Sequence, residues 1–422
     1  MKWVVALILI LWSSCYAAQS EWGIASALRA ASIPYTTSQN DSLLDSYVLL
    51  LYLETPLLFL DGTEGGLRLY RDNAWEFAAY GAMHFVDMPR HDTHYFSDDT
   101  ADLGLMARYR NGPFHTDLLL LSDPARRPHA ALRAGIDCAL GDWRLRPYAR
   151  LDYKSAAYNS YYYGQERVDV GADVAAEAGI GGRWYVSRNI ALLAEAKLRY
   201  LGREVAAADT IGSPVQSELY LGAGIFGEHN LNRHRFTPKG YLRLALGEAT
   251  PSSFSQIVIG EGERDPNRAH MLSLFYGLPL SRNLFEAGVQ SYFSPGFVHH
   301  FADDRQPSAQ EYVAAFKFYY RPQNWWLRFG AGTGLSYISR TTYLERRINA
   351  KDGYDHTSHL MQNLDFSFDV ELSRLFGKGW ENLWFGYALH HRSGVFESAH
   401  QYGQIKGGSN YNTLYLQLHF EP

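Results

Sequence analysis

Alternation of apolar and charged side chains is the feature that most restricts how this chain can fold. From residue 143 to residue 154 the odd positions are mostly apolar, whereas the even positions are mostly arginine, aspartate and lysine. Side chains alternate between the two faces of a β-strand, so this segment predicts a strand with one apolar and one charged face. A helix would mix the two sets around its circumference. Segments 132–140 and 190–199 repeat the pattern.

Two fold classes place such strands differently: a soluble β-sandwich packs the apolar face inward, and a membrane β-barrel turns it towards lipid. Composition favours the barrel, with 37 glycines, 30 tyrosines and a mean hydropathy of −0.27. Aromatic groups at 158–163, 325–326 and 380 are interpreted as interfacial girdles. The final segment, 411–420, alternates and ends on Phe420, as outer-membrane strands do. We therefore predict an all-β, antiparallel transmembrane β-barrel.

Composition also excludes several function classes. The 39 Lys and Arg residues do not outnumber the 44 Asp and Glu residues, so no nucleic-acid partner is predicted. Two cysteines cannot form a disulfide scaffold. The histidine pairs at 299–300 and 390–391 point to opposite faces of a strand, which is poor chelate geometry, and no metal or cofactor is predicted.

The beginning of the chain predicts export. Lys2, an apolar stretch and small residues up to Ala18 have the pattern of a secretory signal peptide over residues 1–18. The alternation then continues to residue 227, stops over a polar segment at 228–239, and resumes from 240 to 422. About 20 residues per strand and connection gives roughly 18–20 strands. These form either two tandem barrels, of about ten and about eight strands, or one large barrel.

A family resemblance covers residues 22–227. The stretch 142–164, and above all Tyr-Asn-Ser-Tyr-Tyr-Tyr-Gly at 158–164, resembles the MipA/OmpV family of MltA-interacting outer-membrane proteins. The segments 32–35 and 59–70 support it. The resemblance implies an outer-membrane barrel that serves peptidoglycan-enzyme scaffolding and has no known catalytic site. The remainder of the chain is an addition to that family pattern.

The second half is similar to lipid A deacylases of the PagL type. The similarity lies in Tyr-Ala-Leu-His-His-Arg-Ser-Gly at 387–394 and in Gly-Gly-Ser-Asn-Tyr at 407–411. It implies a catalytic His391 and Ser393, which share a strand face because they are two residues apart. That face is the apolar one, and the pair is expected near the outer leaflet. The resemblance expects a glutamate in the next strand, and neither Glu397 nor Asn410 matches its position.

Two functions therefore remain open. The favoured hypothesis is a non-enzymatic scaffold or envelope-maintenance protein of the Gram-negative outer membrane, whose partner is a murein hydrolase complex. The alternative is an esterase that acts on lipopolysaccharide, with Ser393 as nucleophile and His391 as base. In a third interpretation, His391 and Ser393 belong to an interfacial girdle, and in a fourth they bind a ligand without turnover. A channel is disfavoured, because a barrel of about ten strands with a charged lumen is filled by its own side chains.

Overall fold

The chain folds into two closed antiparallel β-barrels, one within residues 22–227 and the other within residues 239–421. The computed structural model describes residues 22–89, 92, 100–227, 239–252, 256–257, 261–351, 357–394 and 408–421. The predicted fold class is confirmed, and of the two architectures the structure has two barrels. The signal peptide predicted at residues 1–18 lies outside the described residues, as does the polar segment from 228 to 238.

The first barrel closes through the pairing of its first strand with its last, in which Gly23 lies opposite Phe226. Its strands are β1 (Trp22–Ser32), β2 (Leu43–Glu54), β3 (Leu58–Gly62), β4 (Glu64–Arg71), β5 (Trp75–His84), β6 (Thr100–Asn111), β7 (Phe114–Ser122), β8 (Pro128–Ile136), β9 (Cys138–Leu140), β10 (Trp143–Lys154), β11 (Asp173–Tyr185), β12 (Ile190–Tyr200) and β13 (Val215–Phe226). Because β8 and β9 both pair with β10, they form one interrupted strand, and the wall has twelve strands.

Twelve strands are more than the ten expected from the sequence. The short β3–β4 hairpin accounts for the difference, because it uses only residues 58–71 for two strands. Connections of two or three residues at 55–57, 72–74 and 112–113 also save length. The expected allowance of about 20 residues per strand and connection was therefore too generous for this half.

The second barrel has eight strands and closes where Gly240 lies opposite Phe420. Its strands are β14 (Gly240–Thr250), β15 (His270–Leu284), β16 (Val289–His300), β17 (Ala309–Tyr320), β18 (Leu327–Ile338), β19 (Leu360–Glu371), β20 (Leu383–Ser393) and β21 (Gly408–Phe420). The last strand ends on the predicted aromatic residue. Eight strands agree with the number expected for this half.

Short helices lie only in the connections of the described chain. They are α1 (Ala156–Tyr162), α2 (Arg203–Ala206), α3 (Tyr343–Lys351) and α4 (Ser373–Phe376). Ser155 caps α1 by accepting a hydrogen bond from the backbone N–H of Tyr158. None of these described helices is both long and apolar enough to cross a membrane.

Each barrel has one end with short connections, called its turn end here, and one with long connections, called its loop end. In the first barrel the loop-end connections include 33–42, 85–99, 155–172 and 201–214. In the second they include 251–269, 339–359 and 394–407. Outer-membrane barrels have short periplasmic turns and long extracellular loops. For the outer-membrane barrel that the sequence predicts, we expect the turn end of each barrel to be the periplasmic end.

The apolar face of the strands points outwards, as the alternation predicts. On β7, for example, Leu118 and Leu120 are exposed on the outside, whereas Asp117 and Leu119 are buried in the lumen. Trp325, Trp326 and Trp380 are exposed at turn-end connections, where an interfacial girdle lies.

The tyrosines at 158–163 do not form a girdle, which corrects the prediction. Tyr158 and Tyr162 lie on α1, and with Tyr163 they are buried at the loop end of the first barrel. They pack with apolar side chains from other loops, including Tyr35 and Met88. We call this cluster the loop plug: Ile33, Tyr35, Leu44, Val86, Met88, Tyr158, Tyr162, Tyr163, Val170, Leu201, Val205 and Ala208.

Candidate functional site

The predicted pair His391 and Ser393 lies near the loop end of the second barrel, where β20 ends. The strand alternation turns His390 and Arg392 into the lumen, where both are buried. His391 and Ser393 therefore belong to the outer face, with Phe385, which is exposed there. Ser393 is only 8% exposed, so it lies in a covered part of that face.

The structure supplies a partner for the imidazole. His391 lies directly opposite Asn410 of β21 in the antiparallel ladder. His391 Nδ1 and Asn410 Oδ1 are 2.5 Å apart, which is a short hydrogen bond. Asn410 therefore occupies the place of the orienting group, although the sequence comparison did not match it by position. Glu397, the other residue considered for this place, lies outside the described residues.

A second contact fixes the orientation of the Asn410 amide. Its Nδ2 donates a hydrogen bond of 2.8 Å to the carbonyl oxygen of Ser252, which follows β14. The carboxamide oxygen must then face His391 and accept a hydrogen bond from Nδ1–H. This arrangement leaves the imidazole Nε2 without a proton, so Nε2 can act as a base.

Further polar side chains lie on the same outer face. Gln362 of β19 lies directly opposite Ser393. Its Nε2 donates to Thr333 Oγ1 at 2.8 Å, and its buried Oε1 has no hydrogen-bond partner among the described residues. Closer to the turn end, Tyr387 Oη donates to Asn412 Oδ1 at 2.5 Å. The sequence analysis singled out none of Ser252, Gln362, Tyr387 or Asn412 as functional residues.

Behind this face, the lumen is closed by buried charges. Glu311 of β17 lies within 2.9 Å of His300 and 3.1 Å of His390, and it accepts a 2.6 Å hydrogen bond from Ser336. Arg392, the residue between the candidate pair, binds Glu345 of α3 at 2.8 Å. The Arg392–Glu345 pair joins β20 to α3, and the Glu311–His390 pair joins β20 to β17. The strand that bears His391 and Ser393 is therefore supported from inside the barrel.

The charged, even-numbered positions of β10 line the lumen of the first barrel. Arg146 pairs with Asp61 and Asp137, and Arg150 pairs with Asp152. Lys154 Nζ donates to Tyr163 Oη of the loop plug at 2.6 Å. Arg144 differs, because the hydrogen bonds it donates go to the backbone carbonyls of Gly141 and Trp143.

The loop plug is held by polar contacts as well. Asp87, in the segment that follows β5, receives two hydrogen bonds of 2.6 and 2.9 Å from Arg29 and another from Gln216. Tyr162 donates to Asp123 at 3.1 Å. Burial, followed by the Asp123 carboxylate, raises the pKa of Tyr162 above its ordinary value, so this phenol stays protonated and can donate.

Comparison with known proteins identifies the first barrel. Residues 27–215 match the family model described as MltA-interacting protein MipA. The first barrel is therefore similar to the MipA family over most of its length. The match confirms the resemblance inferred from the tyrosine-rich motif, and together with the fold it makes the chain an outer-membrane protein. The second barrel lies outside the matched residues, and no curated protein matches this chain.

Solved structures with a similar fold include outer-membrane proteins of several kinds. One is the outer-membrane enzyme PagL, at 12% identity and a TM-score of 0.26, covering 42% of this chain and 98% of that one. Another is Pseudomonas putida OprB, at 9% identity and a TM-score of 0.24, covering 99% and 97%. A bacterial polysaccharide outer-membrane secretin has 11% identity and a TM-score of 0.24, covering 94% and 98%.

Proposed function

We propose that this protein is an envelope scaffold, whose first barrel recruits a murein hydrolase to the periplasmic side of the outer membrane. The observation that carries the proposal is the match of residues 27–215 to a family named for its interaction with MltA. The closed loop end agrees with it, because a barrel plugged by its own tyrosines suits anchoring better than transport.

Co-purification tests the scaffold. The tagged full-length protein is extracted in mild detergent from the envelope, and the copurifying proteins are identified by mass spectrometry. A parallel preparation contains only the second barrel, residues 240–422 behind an export signal. We expect a murein hydrolase with the full chain and none with the second barrel alone. Equal recovery from both preparations, or from neither, would contradict the scaffold.

A second function is favoured by the contact between His391 and Asn410. We propose that the second barrel hydrolyses an acyl ester of a lipid in the outer leaflet, with lipid A of lipopolysaccharide as the substrate. Ser393 Oγ attacks the ester carbonyl while His391 Nε2 takes its proton, and the C–O bond to the alcohol breaks as His391 returns the proton to the leaving oxygen. Water then hydrolyses the acyl-serine by the same base. Asn410 keeps the imidazole in the required tautomer.

Position supports this second function. The pair lies at the loop end and on the outer face, which is where the acyl chains of an outer-leaflet lipid lie. Polar side chains facing hydrocarbon are costly, so their presence calls for a role.

Mass spectrometry of lipid A tests the esterase, comparing cells that produce the wild type, Ser393→Ala or no protein. We expect lipid A that lacks one acyl chain only in cells that produce the wild type. Identical patterns in all three would exclude this function and leave the scaffold untouched.

A further inference from the structure

The lumen of the first barrel contains a cavity of about 720 Å³ between the loop plug and the turn end. Plug residues such as Tyr158 and Tyr162 line its closed end, and Trp22, Gly227 and Arg144 line the other end. A volume of this size is in the range of small-molecule binding sites. The cavity is therefore large enough for a ligand, and the plug decides from which side a ligand enters.

Solvent reaches this cavity from the turn end. There the side chains of Arg146 and Asp137 are 46% and 47% exposed. Beside the plug, by contrast, the side chains of Arg29 and Asp87 are 1% and 5% exposed. Because the turn end is the expected periplasmic end, the cavity is a blind pocket that is filled from the periplasm.

Several arginines in the closed part of the cavity form ion pairs. Arg29 pairs with Asp87 and Glu218, and Arg133 pairs with Glu64 and Asp117. Arg199 in turn pairs with Glu177. Each of these three arginines is therefore already held by a carboxylate.

At the open end cations exceed anions. The arginines are Arg110, Arg144, Arg146 and Arg183, and the carboxylates that face them are Asp61 and Asp137. Glu54 also lines this end, but it binds Arg68 and Arg71. His115 lies 3.6 Å from Asp137 and brings no negative charge.

Two of these arginines have no carboxylate partner in the described part of the chain. Arg144 donates to two backbone carbonyls, as described above. Arg110 forms no ion pair among the described residues, although Glu76 and Glu54 are near enough to act on it electrostatically. The Nε of Arg110 is buried without a hydrogen-bond partner among the described residues. A buried guanidinium N–H without an acceptor is costly unless something binds it.

From this geometry we propose that the cavity is a binding site for a small periplasmic polyanion, a molecule with two or more carboxylate or phosphate groups. Arg110 and Arg144 bind its anionic oxygens, because a guanidinium matches carboxylate and phosphate bidentately. The site is independent of the scaffold and esterase functions proposed above.

Isothermal titration calorimetry on the detergent-solubilised full-length protein tests the site. The probes are triaspartate, inorganic triphosphate and trilysine. We expect saturable binding of at least one anion and none of trilysine. Tighter binding of triaspartate would indicate a carboxylate ligand, and tighter binding of triphosphate would indicate a phosphate ligand.

Substitutions locate the binding. Arg110→Gln and Arg144→Gln should each weaken it by about tenfold or more, since each removes a charged hydrogen bond. Arg126→Gln is the matched control, because Arg126 is exposed on the loop-end turn after β7 and does not line the cavity. The heat-dependent gel mobility of each variant confirms that the barrel is folded. A third variant carries both Arg110→Gln and Arg144→Gln. The proposal is overturned if this folded variant still binds the anion, or if the wild type binds neither anion.

Discussion

His391 and Asn410 face each other across neighbouring strands, with Nδ1 and Oδ1 2.5 Å apart, and this contact decides the tautomer of the imidazole. An asparagine in this place orients the ring without adding a negative charge, as in the Cys-His-Asn arrangement of papain-like proteases. In the proposed esterase, Ser393 is the nucleophile, His391 the base and Asn410 the orienting group. Glu248 of β14, which lies opposite Asn412, is a carboxylate on the same outer face.

Replacing Asn410 tests whether this contact serves catalysis. Asn410→Ala should lower esterase activity by about a hundredfold, because the imidazole loses the group that fixes its tautomer. Asn410→Asp should retain activity, since a carboxylate also accepts from Nδ1–H. The measurement is hydrolysis of a p-nitrophenyl ester in detergent and acyl loss from lipid A. Asn412→Ala, which removes only the contact with Tyr387, is the control and should remain active.

The Asp87 contacts predict how strongly the loop plug stabilises the first barrel. Asp87→Asn removes the charge that two Arg29 hydrogen bonds require, so it should lower the free energy of unfolding by about 3 kcal/mol. Asp209→Asn, at an exposed position of a loop-end connection, should change it by less than about 0.5 kcal/mol. Urea denaturation in detergent micelles, followed by tryptophan fluorescence, measures both. Equal effects would mean that the buried ion pair does not hold the plug.

The tyrosines of α1 should block the flow of ions through the first barrel. Wild-type protein in a planar bilayer should show no conductance steps, because the loop plug closes the first barrel and ion pairs fill the second. Tyr158→Ala combined with Tyr162→Ala should produce steps, since these rings lie between the cavity and the loop end. Tyr153→Ala, on the outer face of β10, is the control and should stay closed. Steps in the wild type would contradict the closed lumen.

The cost of placing a charge on the outer face should depend on its depth in the membrane. Leu120→Arg places a charge on the lipid-facing side of β7 and should destabilise the folded barrel by about 2–4 kcal/mol. Phe114→Arg lies on the same face but at the first residue of the strand, where the cost should be about 1 kcal/mol or less. Equilibrium folding into lipid vesicles measures the two. A mature protein that stays folded in buffer without detergent would contradict the membrane assignment.

The strands were predictable because alternation is a local property of the chain. The charged and apolar sets of β10 and β12 follow from the sequence directly, and the structure has both strands. The plug was not predictable in the same way. Tyrosines at the end of a strand look alike whether they meet the membrane interface or fold into the lumen, and only the packing against Met88 and Tyr35 separates the two.

The orienting residue escaped sequence analysis for a different reason. Counting outward positions back from Phe420 places Asn410 on the face of Leu414 and Leu418, so its direction was predictable. Its partner was not, because the sequence does not fix the register between β20 and β21, which are separated by residues 394–407. Only the ladder, in which His391 lies opposite Asn410, reveals the contact.

Both barrels close entirely within their own stretch of chain, since Gly23 meets Phe226 and Gly240 meets Phe420. No strand pair of the described chain joins one half to the other. A gene cut between the codons for residues 227 and 239 would thus divide the protein without removing a single ladder hydrogen bond. Either product can be exchanged, duplicated or lost on its own, so the two halves are free to follow separate evolutionary histories.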